Sequence, residues 1–329
     1  MDHVAHTWEA AADAGPLRLG VSSCLLGDEV RWNGGHKRDR FLTVDLAAYV
    51  EWVKVCPEVD IGLSVPRPTI SLQTVGSEIR LRETASQSDL TDRMNRYAKK
   101  RTAELAKLEL DGYVLKKNSP SCGLLRVPVR HESGKGASRD GTGLFAQALV
   151  ASQPELPVEE EGRLHDPPIR ENFVERLFAH RRLRSVLDGR WRRGDVVAFH
   201  TAHKLQLMAH APQGYRELGR LVADVKFIAP SEFRGRYKRG FMATLAKRAT
   251  PGRNTDVLKH MAGHVSKKIS APARAELAAV IDDYRVGLVP LVVPLVLLRH
   301  HARELDVEYL LQQTYLDPHP KELLLRNHV

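Results

Sequence analysis

The chain has little cysteine, three residues in 329. That is too few for a disulfide scaffold, and an odd number in a reducing compartment points to buried thiols, a nucleophile or metal ligands. Long apolar runs are also lacking. The longest, Val286 to Leu298, falls short of the roughly 18–20 residues of a membrane helix and is interrupted by Pro290 and Pro294. Met1 to Gly15 carries Asp2, Glu9 and Asp13 but no Lys or Arg, so no signal peptide is expected. The reading is a cytoplasmic protein with no membrane association. A Gly-x-x-x-x-Gly-Lys-Ser/Thr phosphate loop, a fixed-period repeat and a low-complexity tract are all missing. What is present is ordinary for a globular protein: 43% apolar and 27% charged residues. The length allows two domains, each able to bury its own core.

The positive charge is uneven. Residues 1–165 hold 22 Lys and Arg against 23 Asp and Glu, a net of −1, whereas residues 166–329 hold 28 against 17, a net of +11. A basic module joined to a near-neutral one suggests a polyanion-binding domain beside a chemical domain. The alternative is an Arg-rich surface kept for solubility.

The first half alternates strand-like and helix-like stretches. Leu17–Ser22 is a short apolar run, and Val53–Val55 ends a second. Phe41–Trp52 between them is helix-compatible. Ser88 or Asp89 can cap a helix running to about Leu110, Tyr113–Lys116 reads as a third strand, and Gly141–Ala151 as another helix. This alternation predicts an α/β domain, Rossmann-like, with a largely parallel sheet. Gln153–Pro168 holds four prolines and an acidic cluster and reads as a linker or domain edge. Beyond it the apolar residues recur at three- and four-residue steps, with Asp195, Ser231, Thr255 and Ser270 as candidate N-caps. An all-α helical domain follows, giving domains at 1–165 and 166–329.

Each cysteine sits where a predicted strand ends: Cys24 in SSCLLGDEVRWNGG, Cys56 in VCPEVDIG and Cys122 in KKNSPSCG. Ligands of open parallel sheets bind at the carboxyl ends of strands, so three thiols distant in sequence can converge there. Three thiolates without a fourth can hold a cubane iron–sulfur cluster with one iron open. They can equally hold zinc with a water or a His, or be three unrelated buried cysteines.

VSSCLLGDEVRWNGGHKR, VCPEVDIGLSVPRP and KKNSPSCG resemble the three motifs of the thiouracil/thiouridine desulfidase family, in the family's order and across most of residues 17–150. FVERLFAHRRLR, FHTAHKLQLMAH, LKHMAG, YRVGLVPLVVP and LLQQTYLDPHPKELLLR resemble a helical partner domain of the YbgA-like type. The combination is similar to the RNA 4-thiouridine desulfidases. The resemblance implies a 4Fe-4S cluster on Cys24, Cys56 and Cys122 with one iron open to substrate sulfur. It also implies conversion of 4-thiouridine in tRNA to uridine.

The residues suit that chemistry on their own terms. Water must attack a thiocarbonyl carbon while soft sulfur leaves, and an open iron is a soft Lewis acid. Release of sulfide in this way is hydrolytic and moves no electrons. Glu58 is the candidate to handle protons, with Asp60 behind it. Ser121, Ser119, Ser23 and Ser22 are candidates to hydrogen-bond base or cluster, or are simply turn formers. His36, Lys37 and Arg38 follow Gly34-Gly35 and can grip a phosphate or ribose. Arg67, Lys116 and Lys117 are further candidate substrate contacts. The basic segment His131–Gly143 is a candidate lid or a disordered insertion.

In the helical half, His200, His203, His210, His260 and His264 fall at helical spacings. A His-Glu-x-x-His motif is absent, so structural or RNA-contacting roles are expected. RGRYKRGF offers Arg234, Arg236, Lys238 and Arg239 to phosphates, with Tyr237 and Phe241 for stacking; the alternative is a solvated face over two core aromatics. The resulting expectation is a desulfidase acting on tRNA containing 4-thiouridine, with no obligate protein partner. Its rivals are a desulfidase of free thiouracil or thiouridine nucleotides, a non-enzymatic RNA-binding protein and a zinc enzyme.

Overall fold

The computed structural model describes residues 15–133 and 136–328. The N-terminal segment read as no signal peptide lies, but for Gly15, outside the described residues. The chain divides into two compact units, one spanning Gly15–His165 and the other running on from Asp166.

The first unit is built on a four-stranded parallel sheet in the order β2–β1–β5–β8. Its strands are β1 (Leu17–Ser22), β2 (Val50–Val55), β5 (Gly112–Leu115) and β8 (Val158–Glu160). Leu17, Leu19 and Val21 of β1 and all four residues of β5 are buried. This near-continuous apolar character is what a two-sided parallel sheet requires. Gly20 is needed for that packing, since a Cβ there would come within 2.1 Å of the Tyr113 ring. Helices α2 (Thr91–Ala106) and α3 (Leu144–Ser152) join the core through Met94, Ala98, Leu105, Phe145 and Leu149. The Asp89 carboxylate accepts from the Thr91 N–H at 2.8 Å, close to where a cap was expected.

Three segments differ from the sequence reading. Phe41–Trp52 is not one helix but two short turns, Phe41–Asp45 and Ala47–Tyr49, followed by β2. The β-branched residues Val50, Val53 and Val55 pair better with β1 than they pack on a helix. A second, mixed sheet of order β4–β3–β6–β7 was not foreseen. It joins β3 (Ile70–Val75), β4 (Glu78–Glu83), β6 (Val127–Arg130) and β7 (Ala137–Gly141). Within His131–Gly143, Ala137–Gly141 forms β7 and pairs with β6, so that part of the segment is strand and not a disordered insertion. Finally, Gln153–Pro168 is a domain edge, with the unit boundary at His165/Asp166, but not an unstructured linker, because it supplies the edge strand β8.

The second unit consists of α4 (Pro167–Leu187), α5 (Arg193–Ala202), α6 (Lys204–His210), α7 (Pro212–Ala223), α8 (Pro230–Leu245), α9 (Pro251–Val265), α10 (Ala271–Arg285), α11 (Val292–Glu304) and α12 (Glu308–Leu311). No strand occurs among its described residues. Ser270 caps α10 by accepting from Ala273 N–H, and Thr250, not Thr255, caps α9. Asp195 is the third residue of α5 and reaches back to the Arg192 N–H. Ser231 is the second residue of α8. Proline at the first helical position pulls several of these starts upstream of the expected cap.

Candidate functional site

The carboxyl ends of β1, β2 and β5 converge. β1 lies between β2, reached by one crossover, and β5, reached by another in the opposite direction. That is the switch point at which open parallel sheets bind ligands. A cavity of about 360 Å³ opens there, and Cys24, Cys56 and Cys122 all line it.

Each thiol is positioned by its own local structure. Cys24 lies in a tight turn, Ser23–Leu26, closed by Gly27 in the left-handed region at φ 104°. The Cys24 carbonyl also accepts from Lys37 N–H at 2.9 Å. Cys56 precedes the one-turn helix α1 (Pro57–Asp60), and its carbonyl accepts from Asp60 N–H. Cys122 is held in a loop that spends its carbonyls on the first turn of α3. Leu144 N–H donates to Pro120, and Phe145 and Ala146 N–H donate to Ser121. The orphan donors of a helix start thereby fix the loop. Gly143 permits this approach, since a Cβ there would lie 2.5 Å from the Ser121 backbone.

Burial pushes all three thiols up, Cys24 to about 12. The neighbouring cysteines raise Cys24 and Cys122 further, while a Ser22 hydroxyl hydrogen bond opposes the rise at Cys122. Such thiols are poor free nucleophiles. Beside Cys24, the buried Ser23 hydroxyl faces the cavity with no hydrogen-bond partner, a donor left for a group not part of the polypeptide.

Glu58 faces the thiols from α1. Its Oε2 accepts from Arg67 Nη2 at 2.5 Å and Nε at 3.1 Å. Its Oε1 accepts from Ser121 Oγ at 2.7 Å and from Ser119 Oγ at 3.4 Å. Ser121 Oγ also lies 3.7 Å from Cys122 Sγ. Ser119 Oγ in turn accepts from the backbone N–H groups of Ser121 and Cys122.

Among the residues singled out from sequence, Ser23, Lys37, Glu58, Arg67, Lys116, Ser119 and Ser121 join the cysteines in the cavity wall. Two of them have roles other than substrate contact. Arg67, its side chain only 4% exposed, spends its donors on Glu58, the Ser64 carbonyl and the Val30 carbonyl. Lys116 Nζ is paired with Glu161 at 2.5 Å. His36 and Arg38 stay outside the wall, Arg38 N–H bonding to His36 Nδ1 and Arg38 Nε to Thr43. Asp60 bonds Tyr97 instead.

Arg234, Arg236, Lys238 and Arg239 lie on α8 in the other unit. Arg236 pairs with Glu232 and Lys238 with Asp188, while Arg234, Arg236 and Arg239 are exposed. Tyr237 and Phe241 are fully buried in the helical core, so they offer no stacking face. His200, His203 and His210 are bound internally, to Tyr237, to Phe199 and Arg182, and to Glu175.

Sequence reasoning missed Trp32, 46% exposed at the cavity mouth, and the glutamates of β8. Glu161 accepts from Lys117 N–H at 2.7 Å as well as from Lys116. Glu160 accepts from the N–H groups of Leu124 and Leu125. The run of three glutamates closing an apolar segment was the available signal.

A parallel sheet with three cysteines and a clamped carboxylate around one cavity at its switch point has the ligand-site layout of the α/β class. Residues 19–161 match the family model described as 2-thiouracil desulfurase, and residues 204–320 match one described as a protein of unknown function (DUF1722). The uncharacterized protein YbgA of Escherichia coli (strain K12) is 31% identical over 153 residues, 46% of this chain and 90% of that protein. The uncharacterized protein YbbK of Bacillus subtilis (strain 168) is 33% identical over 151 residues, 44% of this chain and 97% of that protein. A solved structure described as the [4Fe-4S]-dependent thiouracil desulfidase TudS is 27% identical, with 46% of this chain and 94% of that chain covered, at a TM-score of 0.37. The chain belongs to the thiouracil desulfidase family, with a DUF1722 domain following the desulfurase domain. No helix among the described residues is long and apolar enough to cross a membrane.

Proposed function

We propose that the protein is an iron–sulfur-dependent desulfidase that converts 4-thiouridine in transfer RNA to uridine, releasing sulfide. The observation that carries the reading is the sharing of one cavity wall by three cysteine thiols and a carboxylate whose two oxygens are separately held. Cys24, Cys56 and Cys122 would hold the cluster, and its open iron would supply a soft Lewis acid for the leaving sulfur. The polypeptide does the rest. Arg67 fixes Glu58 so that Oε1 faces Ser121 and the cavity. Glu58 Oε1 takes the proton of the water that attacks the thiocarbonyl carbon, and Ser121 Oγ holds that oxygen in line. Carbon gains oxygen and loses sulfur, so the reaction consumes one water and yields one sulfide. Three free cysteines suit a reducing, cytoplasmic setting.

The polynucleotide substrate rests on the +11 charge of residues 166–329. A second reading, desulfidation of free thiouracil or thiouridine nucleotides, is favoured by a cavity built wholly from residues 22–122. Anaerobically prepared protein incubated with thiolated transfer RNA and, separately, with 2-thiouracil, followed by nucleoside and base analysis, distinguishes the two. Brown protein with about four irons per chain is expected. Cys24→Ala should lose both colour and iron, and a colourless zinc protein would sink the cluster reading.

A further inference from the structure

Most of the helical unit's excess charge lies in one stretch, since residues 181–240 hold 14 Lys and Arg against 5 Asp and Glu. The structure gathers part of it into an open groove of about 770 Å³. Arg190, Arg192 and Arg193 line one side and Arg234, from the start of α8, the other, with Trp191 between. No acidic side chain lines the groove. Two of the nearby carboxylates are engaged elsewhere, Asp188 by Lys238 and Arg184 and Asp195 by the Arg192 N–H. Arg193 Nη2 reaches the Lys226 carbonyl at 3.3 Å.

Beside the groove is an aromatic ring with no core to belong to. Phe227 lies between Val225 and Ile228, two residues of the groove wall, and is 76% exposed. The Lys226 ammonium sits 4.6 Å from its ring centre. Exposing a phenyl ring is costly, and a positively charged groove edged by such a ring is the arrangement by which proteins hold single-stranded nucleic acid. Guanidinium groups also match phosphate oxygens in pairs.

We propose that this groove is the RNA-contacting surface: Arg190, Arg192, Arg193 and Arg234 neutralise backbone phosphates, and Phe227 stacks an unpaired base. The proposal rests on the RNA reading above and replaces Tyr237 and Phe241 as the stacking residues.

The test is the dissociation constant of the full-length, cluster-loaded chain for unmodified transfer RNA between 50 and 200 mM salt. The parent is expected to weaken steeply, with a slope of log K against log salt of about −0.7 to −0.9 per phosphate contact. The R190Q/R192Q/R234Q variant should bind more weakly with a flatter slope. Phe227→Ala should bind about 5- to 150-fold more weakly with the slope unchanged, and Phe227→Tyr should restore binding. Thermal melts verify that each variant is folded. If the parent binds RNA and all variants match it in affinity and slope, the groove is not the RNA surface, although the substrate reading stands. If polyglutamate of equal charge displaces RNA as well as RNA does, the groove is a general polyanion patch and the proposal fails. If the parent binds no RNA at all, both readings fall.

Discussion

Glu58 has two oxygens with two different duties, and Arg67 is what keeps them apart. Glu58→Gln preserves the side-chain shape but removes the base. It should leave iron content and colour intact while lowering turnover by about 10²- to 10⁴-fold. Arg67→Lys cannot reproduce the forked contact with Glu58 and the two carbonyls. It should lower kcat by about 10- to 100-fold, the size of a lost charged hydrogen bond, with iron content unchanged and KM little altered. Iron quantification with steady-state kinetics reads both, and loss of iron in Arg67→Lys would mean the residue supports the cluster loop instead. The place of Glu58 in the cavity wall was legible because it stands two residues from Cys56. The role of Arg67 was not. Its partner lies nine residues back across a turn, and nothing in Val-Pro-Arg-Pro distinguishes an arginine facing substrate from one turned inward.

At the level of elements, the three strand ends could be read from apolar runs that stop at turn-forming residues, and with them the meeting of the cysteines. Strand β8 could not. Three glutamates among prolines look like solvated linker, and only the folded sheet shows them buried, each at most 7% exposed. They are bound to backbone N–H groups, to Lys116 and to Arg163. The second sheet was hidden for a related reason, because its strands are short and half-exposed, so their pattern depends on the neighbour they cover. The edge strand therefore acts as a brace for the site loops. Glu161→Ala takes its carboxylate partner from the half-buried Lys116. It should cost about 1–3 kcal/mol in denaturant unfolding and raise KM through a loosened 116–118 loop. A variant with unchanged midpoint and unchanged KM would show that the pair contributes nothing.

For the whole molecule, pH is the most direct probe of the helical unit. Burial holds His200 and His319 down to about 4 and His203 well below its ordinary value. Unfolded histidine titrates near 6.5, so between about pH 6.5 and 4 the unfolded chain takes up protons that the folded chain refuses. Stability should fall as pH drops through that window. Glu175 opposes this little. Burial alone would raise it, but the charges of His210 and Arg326 hold it low, so its contribution persists until far more acidic pH. His210, held up by Glu175 against burial, contributes below about 6.5 and loses that contribution as pH rises through its folded value. Thermal melts of the full chain from pH 7 to 4.5 should show a falling Tm, and His200→Gln with His319→Gln should flatten the decline. The site imposes an order of events as well. Its cysteines come from positions 24, 56 and 122, and the loop bearing Lys116 and Lys117 is braced by Ser22 and by Glu161. A ribosome must therefore have delivered the polypeptide past residue 161 before the pocket can be completed. On the cluster reading proposed above, iron insertion would then be a late act of maturation, reserved for a chain whose first domain is already folded.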